Sequence, residues 1–344
     1  MSISKEESQI ITCIRSLAMF LIVLSHYWPW LGWQEWCSQF LVVGVPIFFM
    51  LSGYLYGQKD IKDIKKWYLA RFKTIVIPLY VFYILMSGIL LCLRKFGEFD
   101  IVQFLKLLLN LQGLWGGQLG NVDTGSLWFI TFILICYLLT PLLQKFRAKM
   151  TWGKLFGLIC LLSAIEIVFI LSISPEHFMV SLPGVIFYIF AYYFGYLWNK
   201  QVHLKFYIIL SFLMVITIAV RLILKFEADS GDILVGKFYD RVYVSYSQGL
   251  LGFWIFITSY WILNKLPKIR VMIYPAFLKC DKLSYYIYIV HCSFLRGVLN
   301  LNQATNSLLV NTLLFLMCTI LLSIIIKAIS DMITNKSFKV QTSR

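Results

Sequence analysis

The sequence predicts an all-α, polytopic integral membrane protein of about ten transmembrane helices, with both termini in the cytoplasm. Three observations carry this reading. Of the 344 residues, 60% are hydrophobic and only 14% are charged, too little polar surface to cover a soluble domain of this length. Apolar runs recur along the whole chain, each near the roughly 17–25 residues that cross a bilayer as a helix. Lysine and arginine collect in alternate connections, the pattern of cytoplasmic loops.

The expected spans are residues 10–28, 39–56, 74–93, 126–144, 154–173, 182–198, 205–225, 247–264, 284–301 and 306–328. With the amino terminus inside, Lys59, Lys62, Lys65, Lys66, Arg71 and Lys73 follow the second span, and Lys145, Arg147, Lys149 and Lys154 follow the fourth. The connections at 29–38 and 174–181, on the opposite side, hold no lysine or arginine. The net charge of +15 is thus an outcome of topology, and no nucleic-acid partner is needed. The eight cysteines form no C-x-x-C pair and fall mostly within spans, so neither a disulfide framework nor a metal site is expected. A single membrane domain over 1–344 is expected, with the first span retained and no fused extracytoplasmic domain.

The first span, IRSLAMFLIVLSHYW at 14–28, keeps Arg15 and His26. Eleven residues at ~100° each bring both side chains to one helix face, about 16 Å apart along the axis. Ionisable groups inside a membrane usually face protein or a water-filled cavity, so a shared cavity is expected. His26 has the chemistry of a general base and Arg15 that of a fixed cation for phosphate or carbonyl oxygens. Trp28, Trp30, Trp33 and Trp36 suit either the headgroup level or a stacking platform for a sugar ring.

Residues 58–73 read as an amphipathic helix on the cytoplasmic leaflet, with Ile61, Ile64, Tyr68 and Phe72 in one stripe. Two long outer connections follow. Residues 94–125 suggest a short interfacial or re-entrant helix (Ile101, Phe104, Leu105, Leu108) and then a glycine-rich loop. Residues 226–246 gather Glu227, Asp229, Asp232, Asp240 and Arg241. Loops this long commonly carry function. In the second span, Ser52 and Gly53 either let helix backbones approach or make room for a pantetheine arm. Glu166, mid-span, is expected to hydrogen-bond a neighbouring helix, with a role in orienting His26 left open. His291 is either a second polar group of the cavity or a structural histidine.

R-x10-H in the first span, then FFMLSGYLYG at 48–57, RFKTIVIPLY at 71–80, SLWFITFILICYLLTPLL at 126–143 and LSYYIYIVH at 283–291, together resemble acyltransferase family three, the membrane-bound O-acyltransferases of cell-surface carbohydrates. The resemblance implies about ten transmembrane helices in a cell membrane, the bacterial cytoplasmic membrane. It also implies transfer of an acyl group, often acetyl, from acetyl-CoA or another acyl-CoA to a carbohydrate hydroxyl outside. Arg15 and His26 would be the functional pair, with Arg15, Ser52, Gly53, Arg71 and Lys73 around the donor. Trp30, Trp33, Trp128, Arg241 and His291 are the candidate acceptor residues. Direct attack with His26 as base and a route through an acyl-histidine are both open. A glycan or lipid-linked sugar exporter is the competing class, although export does not require the R-x10-H face. A polymerase-type glycosyltransferase would want an acidic early outer loop, for which Glu35 alone is poor support.

Overall fold

The computed structural model describes residues 4–172, 182–229, 236 and 238–342. Among them, ten helices have at least fourteen residues: α1 Lys5–Tyr27, α2 Gly44–Gly57, α3 Ile64–Cys92, α4 Trp128–Arg147, α5 Trp152–Ser172, α6 Leu182–Leu197, α7 Leu204–Asp229, α8 Val244–Lys265, α9 Pro267–Leu295 and α10 Leu308–Thr342. The one extended pairing described is an isolated bridge between Leu119 and Val122. Six helices are long and apolar enough to cross a membrane, and α2 and α6 are shorter apolar helices. The chain has the make-up of a multi-pass membrane protein.

Local chemistry starts and bends these helices. Ser4 caps α1 by accepting from the Glu7 amide at 3.1 Å, with Glu6 and Glu7 in the first turn where the helix dipole favours acid. Asp63 caps α3 through the Lys66 amide at 2.9 Å. Pro78 lies inside α3 and Pro275 inside α9, each removing one backbone hydrogen bond.

Three expectations are corrected. The stretch 58–73 is not a separate surface helix: from Ile64 it runs unbroken into the following span as α3, since Pro78 does not end the helix. The basic connection before the ninth expected span is also helical, because α9 begins at Pro267 and ends at Leu295. The second long connection is partly helical too: α7 continues to Asp229, and a π-helical turn at Tyr239–Tyr243 leads into α8; Asp232 lies outside the described residues. The short helix expected in 94–125 is present at Ile101–Leu108, started by Asp100, which accepts from the Val102 and Gln103 amides.

Packing is tightest where side chains are smallest. Helix α2 lies along α6 and α1 along α9. A Cβ on Gly53 would sit 2.3 Å from the Tyr188 carbonyl oxygen, and one on Gly57 would sit 1.9 Å from that of Tyr192. Bilayer lipid is as apolar as leucine, so such close backbone contact is a main source of helix association. Helices α5 and α7 are peripheral, with only 17% and 11% of their apolar windows buried. The buried side chains form two large clusters, one around Phe82, Phe132, Tyr188 and Tyr288 and the other around Met50, Tyr54, Phe194 and Phe256.

The α2–α6 contact yields a stability prediction. Gly57→Ala should cost about 1–3 kcal/mol, read as a lower thermal midpoint in detergent. Gly88→Ala, whose Cβ meets nothing within 4 Å, is the control and should not lower it.

Candidate active site

Helix α1 brings His26 to its last turn, and α9 brings His291 to the same end of the bundle. His26 Nδ1 and His291 Nε2 are 2.8 Å apart, with the rings stacked at 5.0 Å. His291 is fully buried, and its Nδ1 lies 2.7 Å from the Tyr288 carbonyl oxygen and 3.1 Å from that of Ile287. Carbonyls only accept, so His291 Nδ1 carries the hydrogen. In the neutral ring Nε2 is then the acceptor, and His26 Nδ1 must be the donor. The remaining nitrogen of His26, Nε2, keeps its lone pair and has no partner among the described residues. A chain of three groups therefore presets the tautomer that a general base requires.

Cys292 Sγ adjoins this pair, 3.5 Å from His26 Nδ1 and 3.3 Å from His291 Nε2. The three ligand atoms lie within 4.8 Å of one another, a His2Cys donor set of the kind zinc accepts. The sequence did not suggest it, because the two histidines meet only in the fold. The direct nitrogen–nitrogen hydrogen bond accounts for the arrangement without a metal.

Further down the same two helices, Arg15 Nη1 donates to both carboxylate oxygens of Asp281, at 3.0 and 3.2 Å. Ser16 Oγ donates to the Phe277 carbonyl at 2.7 Å. Arg15 and His26 do share a helix face, as their spacing implied, and that face is turned to α9. Near Arg15 lies a second cluster. Arg71 Nη1 donates to the Tyr56 hydroxyl at 2.6 Å, while Arg71 Nε is buried without a partner. The Tyr56 hydroxyl is within electrostatic reach of both arginines, and Tyr137 and Ser52 lie beside it. Two guanidinium groups with unused donors, two phenols and a serine converge here, which suits an anionic or thioester-bearing ligand.

The Acyltransferase domain model of acyltransferase family 3 matches residues 9–328. The chain belongs to that family. No curated protein and no solved structure matches the chain. Membership makes it an acyl-transfer enzyme in the general sense, with a donor and an acceptor.

The other candidate residues of this family member separate in space. Gly53 faces the α6 backbone and serves packing, unlike its neighbour Ser52. Lys73 sits about 200° around α3 from Arg71 and projects from another face. Trp30 packs against the first core cluster. Trp33 is 55% exposed and meets Trp28 at 4.4 Å, whose Nε1 donates to the Gln34 carbonyl. Trp128 lines a cavity discussed below. The side chain of Arg241 lies outside the described residues. Glu166 accepts from Tyr246 of α8, so the expected bond to a neighbouring helix is present and its partner is not His26.

Sequence reasoning missed Asp281, Cys292 and Tyr56. Asp281 sits between lysines in KCDKL and reads as surface charge until α9 is seen to be helical there.

Arg15 generates a prediction. Arg15→Lys keeps the charge but loses the guanidinium, whose Nη1 holds Asp281 while its other nitrogens still offer donors. A charge-assisted hydrogen bond is worth about 1.5–3 kcal/mol, so the donor KM should rise roughly 10- to 100-fold with little change in the pH optimum. Initial rates against donor concentration check it; an unchanged donor KM would remove Arg15 from the donor site.

Proposed function

We propose that the protein is a membrane O-acyltransferase moving an acyl group, acetyl by preference, from cytoplasmic acyl-CoA to a hydroxyl of an extracytoplasmic or lipid-linked polysaccharide. The observation that supports it best is the His26–His291 contact, which leaves one basic nitrogen of His26 free. In this reading His26 Nε2 takes the proton from the sugar hydroxyl as its oxygen attacks the thioester carbonyl. The tetrahedral intermediate expels the CoA thiolate, which recovers that proton from His26. His291 Nε2 accepts from His26 Nδ1 throughout and so steadies the imidazolium between the two transfers.

Arg15, Ser52, Tyr56 and Arg71 hold the donor. Arg15 and His26 are about 16 Å apart along α1, a span an extended acyl-pantetheine arm can bridge from the cytoplasmic side. The lysine- and arginine-rich connections support a cytoplasmic donor side, with both termini there.

Two predictions test the reading. His26→Gln should insert and fold normally yet lose about 10²–10⁴ in rate, the share a general base contributes. Incubation with radiolabelled acetyl-CoA and no acceptor separates the two routes, since only an acyl-histidine leaves label on the protein. A Gln variant that keeps most of its activity at normal expression would end the assignment. Dialysis of the purified enzyme against a chelator should leave activity intact. A loss restored by zinc would instead assign His26, His291 and Cys292 to a metal.

A further inference from the structure

At the end of the bundle that carries the histidine pair, a cavity of about 250 Å³ opens between the starts of α2, α4, α6 and α8. Its walls mix polar and aromatic groups. The 450 and 540 Å³ cavities along α3 are almost wholly apolar. This one sets the Trp128 indole and the Phe187 ring against Asp240, Ser245, Gln39 and Gln248.

The two amides have their orientations assigned by their partners. Arg221 of α7 is 2% exposed and lies over the Phe40 ring at 4.5 Å. Its Nη2 donates to Gln39 Oε1 at 3.1 Å, which leaves the Gln39 NH2 for the cavity it lines. Gln248 Nε2 donates to the Gln39 carbonyl at 3.1 Å, which leaves Gln248 Oε1 as an acceptor. A buried arginine in a peripheral membrane helix is costly, and here one of its side-chain hydrogen bonds goes to a wall of the cavity. The cavity therefore offers one amide donor, a carbonyl and a carboxylate as acceptors, a hydroxyl of either sense, and aromatic faces. Neighbouring hydroxyls on a ring with one apolar face match that set; a hydrocarbon chain would leave every polar group unpaired.

The cavity adjoins the reaction centre without coinciding with it. Phe49, which lines it, meets Phe129 at 4.8 Å, Phe129 meets Tyr288 at 5.5 Å, and Tyr288 lies 6.0 Å from the His291 ring. A wall of aromatic rings in contact thus runs from one to the other.

We infer that this cavity is an acceptor subsite for a pyranose unit next to the one that is acylated, so that the enzyme recognises at least two linked sugars. The inference rests on the O-acyltransferase reading above. The cavity reads the neighbouring unit through Asp240, Gln248 and Gln39, while the reacting hydroxyl meets His26.

The test uses purified full-length enzyme, acetyl-CoA, and p-nitrophenyl glycosides as matched pairs of mono- and disaccharide (glucoside and cellobioside, galactoside and lactoside, N-acetylglucosaminide and chitobioside), with thiol release as the readout. Wild type should favour the disaccharide of at least one pair by about tenfold or more in KM. Asp240→Asn and Gln248→Leu should bring that ratio towards one, with the donor KM unmoved; Ser245→Ala, a smaller change, guards against misfolding. Disaccharide preference retained in all three variants would overturn the inference, as would a wild type that uses monosaccharides equally well or no glycoside at all. Failure of the underlying reading looks different: His26→Gln would then release thiol with glycoside as fast as wild type.

Discussion

Helix α1 is tied to its neighbours by polar contacts along its whole length, and the rest of the bundle is arranged around those ties. Glu7, 3% exposed, accepts from Tyr54 of α2, from Gln58 just after it and from Lys200 just after α6. Arg15 and Ser16 reach Asp281 and Phe277 on α9, and His26 reaches His291 on the same helix. Tyr27 bonds Thr312 of α10. Among lipid tails, apolar side chains gain little from meeting one another, so contacts of this kind and close backbone approach decide which helix lies beside which. Removing one partner of a partly buried ionic pair such as Arg15–Asp281 strands the other. The α1–α9 register is therefore strongly specified, and that register brings the two histidines into contact.

The same contact solves a chemical problem. A neutral histidine has two tautomers, and only one leaves Nε2 of His26 free to take a proton. A carboxylate beside His26 Nδ1 could select that tautomer, but it would place a second full charge in a poorly solvated region. His291 selects it while neutral, because the backbone carbonyls of Ile287 and Tyr288, one turn back along α9, hold its own hydrogen on Nδ1. Pre-organisation here comes from helical carbonyls, each of which has a second lone pair to spare.

Much of this was legible in the residues, and the rest failed for definable reasons. The eleven-residue interval between Arg15 and His26 put both on one helix face, and the motifs pointed to the right family. The partner helix was harder to read. Asp281 and His291 are ten residues apart, nearly the interval on α1, as two parallel helices with matched polar ties require. That match was hidden because Asp281, flanked by Cys280 and Lys282, looked like part of a charged loop. The amphipathic stretch 58–73 misled for the opposite reason. Ile64, Tyr68 and Phe72 of its stripe are helical and Ile61 precedes the helix, yet helical periodicity alone does not say whether the helix stops before the next apolar run. Pro78 bends a helix more readily than it ends one when tertiary contacts hold both sides.

The Ser52–Gly53 pair, read as serving either packing or the donor, divides between two surroundings, because adjacent helical residues point about 100° apart. Gly53 presses against the Tyr188 carbonyl, while Ser52 turns to Tyr137 in the cluster with Arg71 and Tyr56. The close fit at Gly53 and Gly57 holds α2 rigidly along α6, and α2 also carries Phe49 into the aromatic wall with Phe129 and Tyr288. One glycine-enabled contact thus positions residues at both levels of the site. At one level a serine sits among arginines, and at the other a ring backs the histidine pair. The small residues of this helix matter less for space than for the rigidity their contact gives to the serine–arginine cluster at one level and the aromatic wall at the other.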